Sequence, residues 1–198
     1  MITLEVNKSL LDVKTMLIAS SLKLTGYEID QFAIEDCLFR DKFTDLSLKH
    51  ISSIITYNNI IEFLQKCKEN QYKIMTSCLA IAICNYMLRD FSIDTPYLRT
   101  DVSVPQIQND LDNIFKKAHE SVSVSSALKV LLVEIYTTKF ITMDLGVFIY
   151  LVINFFLYTF KGSVVIFNDQ ALSRSVSRDD IVYYYFDQLC TWVKTLEE

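Results

Sequence analysis

The side chains able to do acid–base, nucleophilic or metal chemistry are few and scattered. The two histidines, His50 and His119, are too few for most histidine-rich metal sites and leave little for a Ser/His or Cys/His nucleophile. His119 follows Phe115 by one helical turn on an amphipathic segment, where a solvent-facing ring is expected. The five cysteines, Cys37, Cys67, Cys78, Cys84 and Cys190, are odd in number and form no CxxC pair. Three of them sit inside apolar helical patterns, as free buried thiols in a reducing compartment would. With three glycines no phosphate-cradling loop can be built. The acidic pair Asp179-Asp180 stands where a helix dipole favours negative charge. These residues point away from an enzyme, and no metal or cofactor is expected.

The elements that carry them are helices. Hydrophobic residues make up 51% and charged residues 22% of 198, which fits one folded domain over 1–198. Three glycines and two prolines supply too few turns for a sandwich or barrel, so the expected fold class is all-α. The net charge of −5, with no basic stripe, argues against nucleic acid and against a polybasic membrane patch. The first residues, MITLEVNKSL, lack a basic-then-apolar signal pattern, so secretion is not expected.

Leu10, Val13, Leu17, Ser20 and Leu24 share one face of a helix from Lys8 to Leu24, with Asn7 as cap and Gly26 as stop. A shorter segment, Asp30 to Arg40, is ambiguous. A third helix starts near Thr44 or Asp45, carries Leu48, Ile51 and Ile55, and is expected to break at Asn58-Asn59. Asn59 and Glu62 would then cap a short helix through Lys68. Tyr72 to Phe91 reads as a nearly all-apolar buried helix, followed by a linker, Ser92 to Val104, holding Pro96. Ser103 and Pro105 open a helix striped with Ile107, Leu111, Ile114 and Ala118, with Asp110, Asp112, Lys116 and Lys117 facing outward. Ser125 caps another, carrying Leu128, Leu131, Leu132 and Ile135 to about Lys139.

Leu145 to Phe160 holds no charged residue, with Asp144 as N-cap and Gly162 as stop. Its sixteen residues span roughly 24 Å, short of the ~30 Å hydrocarbon core, so a central helix wrapped by others is expected. Spans at 72–91 and 143–167 in a small membrane protein are the rival. Val164 to Phe167 is extended or loop. Ser177 and Asp180 start the last helix, whose buried side is Val182, Tyr185, Phe186, Leu189, Val193 and Leu196. Tyr183-Tyr184-Tyr185-Phe186 covers every face of a helical turn, so part of it must be exposed or contact another element; core packing is one reading and a partner surface the other. There is no internal repeat and no coiled-coil array.

Three local patterns, in order along the chain, resemble the Bcl-2 family of apoptosis regulators. Leu22-Lys23-Leu24-Thr25-Gly26-Tyr27-Glu28 is similar to the Lys-Leu…Gly-Tyr segment closing that family's first helix, shortened before the glycine. Val133-Glu134-Ile135-Tyr136, then Asp144-Leu145-Gly146-Val147 before an apolar run, resembles its Val-x-Glu-Leu-Phe and Asn-Trp-Gly-Arg. Asp187-Gln188-Leu189-Cys190-Thr191-Trp192-Val193 resembles its Asp-His-Leu-x-x-Trp-Ile. The likeness covers 10–27 and 107–193; residues 28–104 read as a helical insertion atypical of the family. Abundant Ile, Asn, Lys and Tyr would suit a divergent viral or invertebrate member.

The resemblance implies a Bcl-2-like bundle around helix 145–160 and a hydrophobic groove that receives a partner's amphipathic helix. The groove residues it implies are Ile107, Leu111, Ile114, Ala118, Leu128, Leu132, Ile135, Asp144, Gly146 and Val147. Val147 stands where the family has arginine, so the charged pair with a ligand aspartate is lost; Gly146 still lets a ligand backbone come close. Phe115-Lys116 replaces the small residue and Asp of the death motif, against a killing-ligand role for 107–118. The expected partners are pro-apoptotic Bcl-2 family proteins, with inhibition of cell death, or host signalling adaptors, with altered inflammatory signalling. A cytoplasmic place is implied, with possible peripheral association at the mitochondrial outer membrane; no anchor segment follows Trp192 in this sequence, so the chain is expected to be either soluble or lacking its tail. The alternative is an unrelated helical scaffold or homodimer that uses 183–186 or 72–91 as its interface.

Overall fold

The computed structural model describes residues 1–6, 9–70, 75–88, 98, 100–141, 144–167 and 177–196. The expected cap at Asn7, the ends of the 72–91 segment, residues 92–97 and 99 of the linker and the last two glutamates lie outside them. Among the described residues the chain is predominantly helical, with eight α-helices and one small sheet.

The centre is α7 (Leu145–Lys161), a helix with no hydrophilic face. Every side chain from Val147 to Tyr158 is buried. A helix apolar all round must be enclosed on all sides, and this one is. It packs against α1 (Lys14–Lys23), α4 (Ser77–Leu88), α6 (Val124–Thr138) and α8 (Arg178–Thr195). Gly162 ends it in the left-handed region at φ 61°, as expected of the stop. Asp144 holds the N-cap position at φ 50°, but its side chain makes no capping hydrogen bond, which corrects the role expected of it.

Two buried side chains on α7 satisfy the backbone that follows it. Asn154 donates to the Tyr150 carbonyl and accepts the Val165 N–H at 2.7 Å. The Tyr150 hydroxyl donates to the Val165 carbonyl at 2.8 Å. These bonds fix β2 (Ser163–Ile166), which pairs antiparallel with β1 (Ile2–Glu5) in the register Ile2 to Ile166 and Leu4 to Val164. The N-terminal strand has no counterpart in the sequence reading, because four residues carry too little alternation to register.

Around this centre the helices follow their sequence signals with three corrections. A 3-10 turn, Leu10–Val13, capped by Ser9 with Asp12 in a reciprocal box, precedes α1. α2 (Gln31–Phe39) is capped by Asp30. α3 (Leu48–Glu69) runs unbroken through Asn58-Asn59. Asn58 is held by its i+4 neighbour, donating to Glu62 at 3.2 Å, so it does not compete for the backbone, and no second helix starts at Asn59. The buried stripe of α3 is Ile54, Tyr57, Ile60, Ile61 and Leu64; Leu48 and Ile55 are exposed. α5 (Val104–His119) begins at Ser103 with Pro105 in its first turn, as expected. The cap of α6 is Ser123, not Ser125, whose buried hydroxyl instead donates to the Leu196 carbonyl at 3.0 Å. Ser177 caps α8 by accepting the Asp180 N–H.

Candidate functional site

α5 and α6 pack on one another, and their apolar stripes close on one another and on the core. Ile107, Leu111, Ile114, Ala118, Leu128, Leu132 and Ile135 are all buried there, and Val147 is buried at the start of α7. These residues build the wall of the bundle rather than an open groove. The expected groove over α5 and α6 is therefore filled in this structure, because both helices present one strongly apolar stripe and the two satisfy each other. Asp144 and Gly146 are different: they sit half-buried at the mouth of an open cleft.

That cleft lies between α6 and α8, at the N-terminal end of α7. One cavity, about 510 Å³, is lined by Leu24, Tyr136, Leu145, Gly146, Val182, Tyr183 and Phe186, with Asp144, Arg178 and Asp179 at its rim. A second, about 320 Å³, continues along the same two helices, lined by Leu132, Val133, Thr137 and Cys190, with Asp187 and Lys194 at its rim. Tyr136, Tyr183 and Phe186 belong to both.

The floor follows from α8 being apolar on two sides. Tyr185, Leu189 and Val193 face the core. Val182 and Phe186, expected in the core, are only half-buried and face the cleft. Phe186 stacks on Tyr136 of α6, ring centroids 5.5 Å apart and 25° from parallel. Gly146 lies under that stack: a Cβ there would stand 3.0 Å from Phe186 Cδ2 and 3.7 Å from Leu24 Cδ2. An alanine at 146 would require the Phe186 ring to give way by a few tenths of an ångström. Tyr183 is 74% exposed on the cleft wall.

One end of the cleft is held by a clamp between α8 and the loop after α1. Arg178 Nε donates to the Thr25 carbonyl at 2.7 Å, and its guanidinium lies 4.9 Å from the centre of the Tyr27 ring. Gly26, at φ 82°, makes that approach sterically open. Tyr27 also meets His50 edge-on at 5.0 Å. Tyr185 ties the same region together, donating to Glu28 at 2.7 Å.

Burial raises the Cys190 thiol above its ordinary value; Lys194 opposes the rise and Asp187 adds to it. A thiol held protonated is a poor nucleophile. Elsewhere burial pushes Cys84 up to about 12 and raises Cys37 and Cys67. Among the described residues no group of three or more His, Cys, Asp or Glu side chains could hold a metal ion. His119 is exposed beside Phe160, ring centroids 5.6 Å apart. Among the described residues no helix is long and apolar enough to cross a membrane.

Most of the cleft's lining escaped sequence reasoning, Tyr136 and Arg178 among it. Tyr136 and Arg178 lie off the main apolar stripes of their helices. The signal for Tyr136 was the extra apolar pair Val133-Tyr136 beside the core stripe of α6. Arg178 had none, since its partners are distant in sequence.

No family model, no curated protein and no solved structure matches this chain significantly.

Proposed function

We propose that this chain is a Bcl-2-like helical bundle that acts by binding, and that it receives the amphipathic helix of a partner protein in the cleft between α6 and α8. The observation that carries this reading is the continuity of the two cavities along α6 and α8, with the exposed Tyr183 on one wall and the Tyr136–Phe186 stack as floor. A trough running along two helices, apolar in the middle and charged at both ends, has the form that suits an amphipathic helix. Gly146, where the resemblance implies close approach of a ligand backbone, is instead covered by the chain's own Phe186 ring, and its missing side chain makes room for the floor of the cleft. With Val147 buried, no arginine waits for a ligand aspartate at that position; Arg178 and Lys194 are the cations at the cleft's rim.

The ligand class is the death-motif helix of pro-apoptotic proteins, with inhibition of cell death as the outcome. Isothermal titration against a panel of such peptides tests this. The expected result is binding at micromolar dissociation constant or tighter, weakened at least about tenfold by Tyr183→Asp. A folded protein that binds none of the peptides, or binds them equally well as Tyr183→Asp, overturns the reading. Binding to a host signalling adaptor in place of every death-motif peptide would assign the cleft to inflammatory signalling instead.

A further inference from the structure

The cleft face of α8 has an internal order that names an occupant. Asp179, Tyr183, Phe186, Cys190 and Lys194 recur at three- and four-residue spacing, so they form one stripe along the helix. All five line the two cavities, and Asp179, Tyr183 and Lys194 are exposed. The opposite stripe, Tyr185, Leu189 and Val193, is spent in the protein's own core. The outward stripe thus carries acid at its N-terminal end, base at its C-terminal end, and an aromatic and a thiol between.

A stripe of that order is complementary to itself when reversed. We propose that α8 of a second copy lies antiparallel in the α6/α8 cleft, giving a two-fold symmetric dimer; this rests on reading the cleft as a helix-receiving site. In that pairing Asp179 faces the partner's Lys194, and Lys194 faces the partner's Asp179. Tyr183 meets the partner's Cys190, and the two copies of Phe186 flank the axis. A parallel pairing would set Asp179 against Asp179 and Lys194 against Lys194. The chain as a whole carries −5 and repels its copy, yet this stripe is electrically balanced. Symmetry makes each contact count twice, as an isologous interface requires. Val133 and Tyr136 of α6, both exposed, extend the same face. Asp187 stands beside the stripe close to the axis, near its own symmetry mate, and Arg178, on the same rim as Asp179, stands near the partner's Lys194; both are like-charge approaches.

Sedimentation equilibrium with light scattering on the full chain tests the proposal. The wild type is expected to be a dimer at about 10–100 µM. Lys194→Glu replaces two attractions by two repulsions and is expected to weaken the dimer at least about tenfold. The exchange Asp179→Lys with Lys194→Glu restores the complementarity and most of the affinity. Tyr183→Ala, at an exposed position, is expected to weaken the dimer with the thermal melting of the monomer unchanged. A monomeric wild type, a dimer indifferent to Lys194→Glu and Tyr183→Ala, or a charge exchange that rescues nothing overturns the proposal. The two readings separate cleanly. Death-motif peptide bound to a monomer removes the dimer and leaves the peptide site. A dimer that passes the exchange test and binds no peptide removes the peptide site and leaves the dimer. A peptide that dissociates the dimer supports both.

Discussion

Replacing Gly26 by alanine tests the clamp that sets one end of the cleft. Gly26 sits at φ 82°, and an added Cβ would overlap Arg178 Cγ and stand 2.9 Å from the Arg178 carbonyl oxygen. An L-residue in that conformation costs about 1–2 kcal/mol. Moving Arg178 aside gives up its bond to the Thr25 carbonyl, worth about 1.5 kcal/mol at the low end of the charged range because Arg178 is exposed. The stacking over Tyr27 adds about 0.5 kcal/mol. The sum is about 3–4 kcal/mol, or a fall in melting temperature of roughly 6–16 °C for a chain of this size. Arg178→Ala alone loses only the bond and the stacking, about 2 kcal/mol. Because it also removes the side chain that the new methyl group at position 26 would strike, the double variant should cost at least about 1 kcal/mol less than the two singles added. Urea unfolding of the four proteins, followed by circular dichroism, measures the cycle. Additivity within about 0.5 kcal/mol, or a melting shift below about 2 °C for Gly26→Ala, would refute the clamp.

Three further outcomes follow from the interior. Asn154→Leu strands the buried Val165 N–H and should cost about 1–3 kcal/mol in urea unfolding, with faster amide exchange at Val165; a loss below about 0.5 kcal/mol would contradict that bond. Alkali should unfold the protein progressively. The Cys84 thiol is held up to about 12 by burial against an ordinary value of 9.0, and burial raises Tyr150 as well. The unfolded chain therefore loses protons that the folded chain keeps, so stability is intact below pH 9 and falls as pH rises from 9 toward 12. A urea midpoint that stays flat across that window, or one whose decline is unaltered by Cys84→Ala, would count against it. Thiol labelling should find Cys78, exposed on α4, first, while Cys84 reacts only on unfolding; equal native rates would show α4 to be seated differently.

Helices with one dominant apolar stripe were legible in the sequence. The 107–118 stripe, the 145–160 core helix and the Ser177 cap each rest on local periodicity or local hydrogen bonding, which sequence records directly. The Asn58-Asn59 break failed because a side-chain bond to Glu62 and the tertiary burial of Ile60 and Ile61 outweigh weak helix propensity. Strand β1 was missed because its pairing partner lies far along the chain. The site was half legible. Asp144, Gly146, Tyr183 and Phe186 belong to the cleft, but of the α5 and α6 stripe residues only Leu132 lines it. An apolar stripe announces burial and leaves open what buries it. Only the packing shows that α5 and α6 cover each other while the second stripe of α8 stays uncovered.

The central claim is that the α6/α8 cleft receives a helix, and mapping a bound helix by amide chemical shifts tests it most directly. On adding a saturating death-motif peptide to isotope-labelled protein, the largest changes are expected at Val133, Tyr136, Gly146, Tyr183 and Phe186, with α2 and its exposed Phe32 and Phe39 unmoved. Changes centred on α2, or spread over α5 with the cleft silent, would contradict the account.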